Sequence, residues 1–133
     1  MLDNSYLRLP IEGRTITQFK LDFAFGMELS KDGSEFSIRI NTSFTLTEAA
    51  DTSEYDPEKL PVCGPALRLL NAHVISAKAF HSGRLEVMFL DGIVLEVNSN
   101  SQFEAWEIVG NDGLIIVSRP GGGLAVWQPN RID

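Results

Sequence analysis

The chain has 133 residues, of which 44% are apolar and 22% charged, and its 18 acidic against 11 basic side chains give a net charge of −7. That length suits one domain burying roughly two-thirds of its unfolded surface, and the composition is globular, neither disordered nor fibrous. The acidic balance argues against nucleic acid and anionic membrane as partners and favours a basic protein, while a single cysteine, Cys63, excludes a disulfide framework and a cysteine zinc cluster.

No apolar run approaches the ~20 residues of a membrane helix. The opening MLDNSYLRLP lacks the basic and apolar regions of a secretory signal. A cytoplasmic protein without membrane contact is expected.

In chain order, the first structural signal is alternation. Phe19, Leu21, Phe23, Phe25, Met27 and Leu29 hold odd positions, Asp32-Gly33 supplies a hairpin tip, and Phe36, Ile38, Ile40, Phe44 and Leu46 follow on even positions. Period-two patterning predicts antiparallel strands with one face on the core and one in water, and Gly26 is expected to help them bend or turn. One strand over residues 35–47 would span ~43 Å, too long for a small domain, so a bend is expected near Asn41.

Residues 48–64 break the pattern. Glu48, Asp51, Glu54, Asp56 and Glu58 share this stretch with one base, Lys59, and Pro57 and Pro61 punctuate it. An acidic connection, solvated and partly mobile, is expected here. Pro65-Ala-Leu-Arg-Leu-Leu predicts one or two helical turns stopping at Asn71. Further strands are predicted at 74–80, 85–90, 94–98, 103–109, 114–118 and 124–127, with reversals at Gly83, Asp91-Gly92, 110–113 and 120–123.

The two halves answer each other at an offset of 58 to 59 residues. Lys20, Glu28, Asp32, Gly33, Asn41 and Phe44 recur as Lys78, Glu86, Asp91, Gly92, Asn100 and Phe103; Ile16, Met27, Leu29, Phe36 and Ile38 are answered by Val74, Leu85, Val87, Leu95 and Val97. One extra residue is expected in the second copy between Glu86 and Asp91. The reading is one domain over 1–133, with an internal duplication of about 13–47 and 71–106 and the acidic connection 48–64 between. A strand–turn–strand unit cannot bury its apolar face alone, so the copies share one core, with Phe44 and Phe103 as equivalent core positions. The expected fold is mostly β with minimal helix: about eight to ten short strands, in two related antiparallel units packed as a sandwich, roll or half-open barrel.

Residues that could carry chemistry are few. His73 and His81 have no second ligand at metal-binding spacing, so no metal or cofactor is expected. Cys63 lies between Val62 and Gly64, with no base nearer than Lys59 to lower its pKa, and reads as a small apolar filler. No serine sits in a GxSxG elbow or an SxxK motif. Gly121-Gly122-Gly123 lies between strands, where a hairpin needs positive φ, and not before a helix, where glycines cradle phosphate. The carboxylates Asp22, Glu28, Glu86, Glu96, Glu104 and Glu107 lie on or beside predicted strands, and nothing nominates a catalytic pair among them. Two tryptophans remain: Trp106 is expected in the core and Trp127 partly exposed, where indoles commonly anchor partners.

The matches Asp91-Gly92, Phe103-Glu104-Ala105-Trp106, Pro120-Gly121-Gly122 and Trp127 carry a resemblance. This pattern resembles a family of short, functionally uncharacterised bacterial proteins with a (Phe/Tyr)-Glu-Ala-Trp box, a PGG turn and a final tryptophan. It covers residues 70–128 well and the first half more loosely, and implies no catalytic residue. Proteins of this size and character are also similar, in genre only, to immunity proteins of toxin systems. The function expected is therefore non-enzymatic binding of a basic protein such as a toxin domain, through Asp51, Glu54, Asp56, Glu58 and Trp127. The alternatives are a structural or regulatory β-domain that self-associates, as a homodimer for example, and a small-ligand binder or enzyme with a site between the repeats.

Overall fold

Alternating apolar residues can be buried only if strands pair and stack, and two sheets result. The computed structural model describes residues 5–128. Its strands are β1 Tyr6–Arg8, β2 Thr15–Leu21, β3 Phe25–Lys31, β4 Ser34–Ile40, β5 Phe44–Glu48, β6 Asp51–Tyr55, β7 Val74–Phe80, β8 Leu85–Phe89, β9 Val94–Val97, β10 Trp106–Gly110, β11 Ile115–Ser118 and β12 Leu124–Trp127, with a 3-10 segment, Pro57–Leu69, between β6 and β7. The first sheet runs β2-β3-β4-β10-β11-β12 and the second β1-β7-β8-β9-β5-β6. Both are antiparallel and neither closes into a barrel, so the mostly-β expectation resolves to a sandwich.

Each half lays down a three-stranded meander, β2–β4 or β7–β9, and then crosses to the other sheet, where β5 joins β9 and β10 joins β4. Met27 lies opposite Ile38 and Leu29 opposite Phe36; Leu85 lies opposite Val97 and Val87 opposite Leu95. The crossings fasten each other. Asn41 donates from its backbone N to the Ala105 carbonyl at 2.8 Å and from Nδ2 to the Glu104 carbonyl at 3.3 Å. Asn100 Nδ2 reaches Thr42 Oγ1 at 3.3 Å. The bend expected near Asn41 is this change of sheet.

Turn chemistry sets the registers. At the β3–β4 tip Asp32 and Gly33 both have positive φ, +52° and +81°, the type I′ geometry that suits a two-residue loop. The β8–β9 tip has three residues, Leu90-Asp91-Gly92, closed by Phe89 N to the Ile93 carbonyl (2.9 Å) and Gly92 N to the Phe89 carbonyl (3.0 Å), with Gly92 alone at positive φ. The same closure, with a glycine in the same place, recurs over residues 80–84, 110–114 and 119–123.

Four expectations need correction. The alternation from Phe19 to Leu29 hides a reversal: β2 stops at Leu21, and Phe23, at φ +68° and 92% exposed, forms the turn. Gly26 is inside β3 and serves close approach, since a Cβ there would lie 2.7 Å from the Lys20 carbonyl oxygen. The acidic connection is structured throughout: Asp51–Tyr55 pairs along the whole of β5 as an edge strand, and residues 57–64 lie in the 3-10 segment. Residues 103–105 are not strand, and Phe103 is 42% exposed whereas Phe44 is buried. Asn100 Oδ1 accepts from Gln102 N (2.8 Å) and Phe103 N (3.3 Å), which holds Phe103 in a surface turn; Trp106, not Phe103, opens the crossing strand.

The core lies between the sheets. Trp106, Phe25, Phe44 and Phe89 are its largest buried side chains, and Tyr55, Cys63, Ala66 and Leu69 bring β6 and the 3-10 segment into the same cluster. Trp106 Nε1 donates to the Gly83 carbonyl at 2.9 Å and Ser118 Oγ donates to the same oxygen at 2.8 Å, so the β7–β8 turn is tied to β10 and β11. No helix among the described residues is long and apolar enough to cross a membrane.

Candidate functional site

Outer sheet faces are ordinarily polar. On the second sheet one cross-strand row runs Glu86, Glu96, Thr45, Glu54, and the next, Ser76, Met88, Val94, Thr47, Thr52, places two apolar side chains between hydroxyls. The first sheet carries a more exposed apolar row. Val109 of β10 lies opposite Ile115 of β11, which lies opposite Trp127 of β12, and the next row is Glu107, Val117, Ala125. Val109 is 38% exposed and Trp127 54%, so the apolar row meets water at both ends.

An open cleft of about 530 Å³ lies on this face, lined by Glu104, Glu107, Asp112, Gly113, Ile115, Val117, Trp127 and Gln128. Its chemistry is one-sided. Three carboxylates face an indole and two branched aliphatic side chains, and no lysine or arginine among the described residues pairs with any of the three. Neighbouring cations are already engaged: Arg39, across from Glu107 in the β4–β10 register, bonds Asp22 at 2.8 Å, and Lys20 meets Glu28 at 3.4 Å. Asp112 Oδ1 also accepts from Leu114 N at 3.0 Å, which fixes the carboxylate at the β10–β11 turn. Among the described residues no group of three or more His, Cys, Asp or Glu side chains is arranged to hold a metal ion. The arrangement is suited to a cation presented on an apolar stem: the carboxylates supply charge and the indole face a cation–π surface.

Of the residues expected to bind a partner, Trp127 lines this cleft. Asp51, Glu54, Asp56 and Glu58 do not; the first two lie exposed on the edge strand β6 of the other sheet. Asp56 caps the 3-10 segment by accepting from Glu58 N at 2.9 Å. The four acids therefore form a separate belt. In the sequence Glu104 and Glu107 are two candidate carboxylates among six with nothing to single them out, and Asp112 is outside that set. The signal that could have found them is the absence of polar alternation in Leu114-Ile115-Ile116-Val117 and Leu124-Ala125-Val126-Trp127, two strands apolar on both faces beside a turn bearing Asp112.

The remaining candidates have structural partners. His73 Nδ1 lies 3.0 Å from Thr15 Oγ1. The glycine run turns between β11 and β12, and its Gly121 and Gly123 N–H groups donate to the Asn100 (2.7 Å) and Ser82 (3.1 Å) carbonyls. Cys63 is buried and donates to the Asp56 and Lys59 carbonyls at 3.3 and 3.7 Å. Burial, then the nearby Asp56 carboxylate, pushes its thiol above the ordinary range, so the thiol form is favoured in the fold. The stabilisation from this shift is complete below the unfolded thiol's pKa and is lost as pH rises through the folded value. Native protein at neutral pH is expected to react with a disulfide reagent at least tenfold more slowly than urea-unfolded protein, and Cys63→Ser to leave binding within a few-fold; rapid native labelling would contradict this.

The chain belongs to a family of unknown function (DUF6188), whose model matches residues 7–128. Searches of the curated proteins and of the solved structures returned no match.

Proposed function

We propose that this member of the family is a non-enzymatic, acidic protein-binding domain that holds a basic partner against the outer face of the first sheet, as an immunity-type inhibitor would hold a toxin domain. The observation that carries the reading is the Trp127 cleft, in which Glu104, Glu107 and Asp112 form no ion pair with a described residue and share the lining with an exposed indole. The net charge of −7 and the belt of Asp51, Glu54 and Glu58 supply a field that draws a basic protein in. Such long-range charge acts on the association rate, whereas a desolvated aromatic anchor acts on the dissociation rate.

The test is to purify any basic domain encoded by a gene adjacent to this one and to measure its binding, with its toxin activity as a second readout. Wild-type protein should suppress that activity at stoichiometric ratio. The triple variant Glu104→Gln, Glu107→Gln, Asp112→Asn keeps the Asp112 acceptor for Leu114 N and should weaken binding about tenfold or more, mostly at low salt. Trp127→Ala should raise the dissociation rate with stability nearly unchanged. A neighbourhood with no basic toxin domain, or equal binding by the triple variant, would sink the reading.

A further inference from the structure

β12 is the terminal strand of the first sheet, and its register determines what its outer edge offers. Arg119 N donates to the Gly123 carbonyl at the β11–β12 turn, at 2.9 Å. Counting outward along the antiparallel ladder, Ala125 with Val117 and Trp127 with Ile115 are the hydrogen-bonded pairs. Leu124 and Val126 therefore point their N–H and C=O groups away from β11, toward the open edge, and no turn or loop bond among the described residues reaches them.

Sheet edges are ordinarily guarded by charge, bulges, brevity or cover. The other edges follow this rule. β6 carries Asp51 and Glu54, β1 has three residues ending in Arg8, and β2 has a register shift between Ile16 and Gln18 and carries Lys20. Leu124-Ala-Val-Trp127 has no charge, no proline and no bulge. The apolar row from Val109 through Ile115 ends on Trp127 at this edge, and the cleft with its three carboxylates lies beside it.

We propose that β12 is a docking edge to which an extended basic segment of a partner protein adds as a seventh strand, its alternate Lys or Arg side chains lying over Trp127 toward Glu104, Glu107 and Asp112. This rests on the basic-partner reading and specifies how such a partner is held. Backbone bonds to Leu124 and Val126 provide affinity, and every second side chain meets the acidic outer face. A second copy of the chain is the weaker occupant, because pairing two β12 edges brings two uncompensated carboxylate clusters to one interface.

The probe is the peptide acetyl-(Lys-Val)4-amide, titrated into full-length protein while Trp127 emission is followed; Trp106 is buried and reports little change. In a strand added antiparallel to β12, residues whose side chains lie over Trp127 turn their N–H groups away from β12, and the intervening residues turn theirs toward it. N-methylation of all four valines should weaken binding at least tenfold, and N-methylation of all four lysines by less than threefold. Equal loss from both sets, loss from neither, or no binding of the unmethylated peptide at millimolar concentration overturns strand addition. So does a concentration-dependent dimer that Val126→Pro abolishes and the peptide cannot disrupt. The cleft reading fails separately, if the Glu104→Gln, Glu107→Gln, Asp112→Asn variant binds the toxin domain as wild type does.

Discussion

Trp106→Ala is expected to lower the free energy of unfolding by about 3–5 kcal/mol. The indole is fully buried between the sheets, and its Nε1 holds the Gly83 carbonyl that Ser118 also holds. Alanine leaves a cavity at the first residue of β10, where the chain has just crossed from the second sheet, and removes one of the two side-chain bonds to the Gly83 carbonyl. Trp106→Phe restores most of the volume but not the bond, and should cost about 1–3 kcal/mol. Urea unfolding followed by the remaining indole measures both. Trp127→Ala, on the surface of β12, should stay within about 0.5 kcal/mol. A Trp106→Ala cost below about 1 kcal/mol would show that the core does not depend on this residue.

Gly83→Ala should be the most damaging of the glycine changes in the hairpin turns, at about 2–4 kcal/mol. Two penalties meet there. Gly83 has φ +101°, a conformation L side chains rarely adopt, and a Cβ would lie 3.0 Å from Ser99 Cβ and 3.1 Å from Ser118 Oγ. Gly92 separates the two effects: it occupies the same place in its own three-residue tip at φ +93°, and a Cβ there would meet nothing within 4 Å. Gly92→Ala should therefore cost only the backbone strain, about 1–2 kcal/mol. If both substitutions cost the same, the packing around Gly83 contributes nothing.

The β-rich class, the core position of Trp106, the exposure of Trp127 and the glycine turns of the second half were all legible in the sequence, because each rests on local chemistry: alternation, positive φ, and the size of an indole. What was not legible depends on partners distant in the chain. Phe23 fits the alternation by parity, yet it is the exposed tip of a turn, since a three-residue loop preserves odd spacing across a reversal. Asp51–Tyr55 carries polar side chains because it is an edge strand, not because it is a mobile loop. Glu107 could be placed on a strand, but its juxtaposition with Trp127 comes from the β10–β11–β12 register and from turns that set it. Periodicity assigns a residue to a face; only pairing assigns its neighbours on that face.

The exchange of strands between the halves also orders events during synthesis. β4 follows its partner β3 directly in the chain, whereas its other neighbour, β10, is made much later, and the first sheet is finished only by β12. At roughly 5–20 residues per second, that interval lasts on the order of several seconds. Throughout it Phe36, Ile38 and Ile40 sit on an unfinished sheet with a bare flank. Until β10 pairs with β4, the first half therefore carries an open flank that only strands of the second half can close.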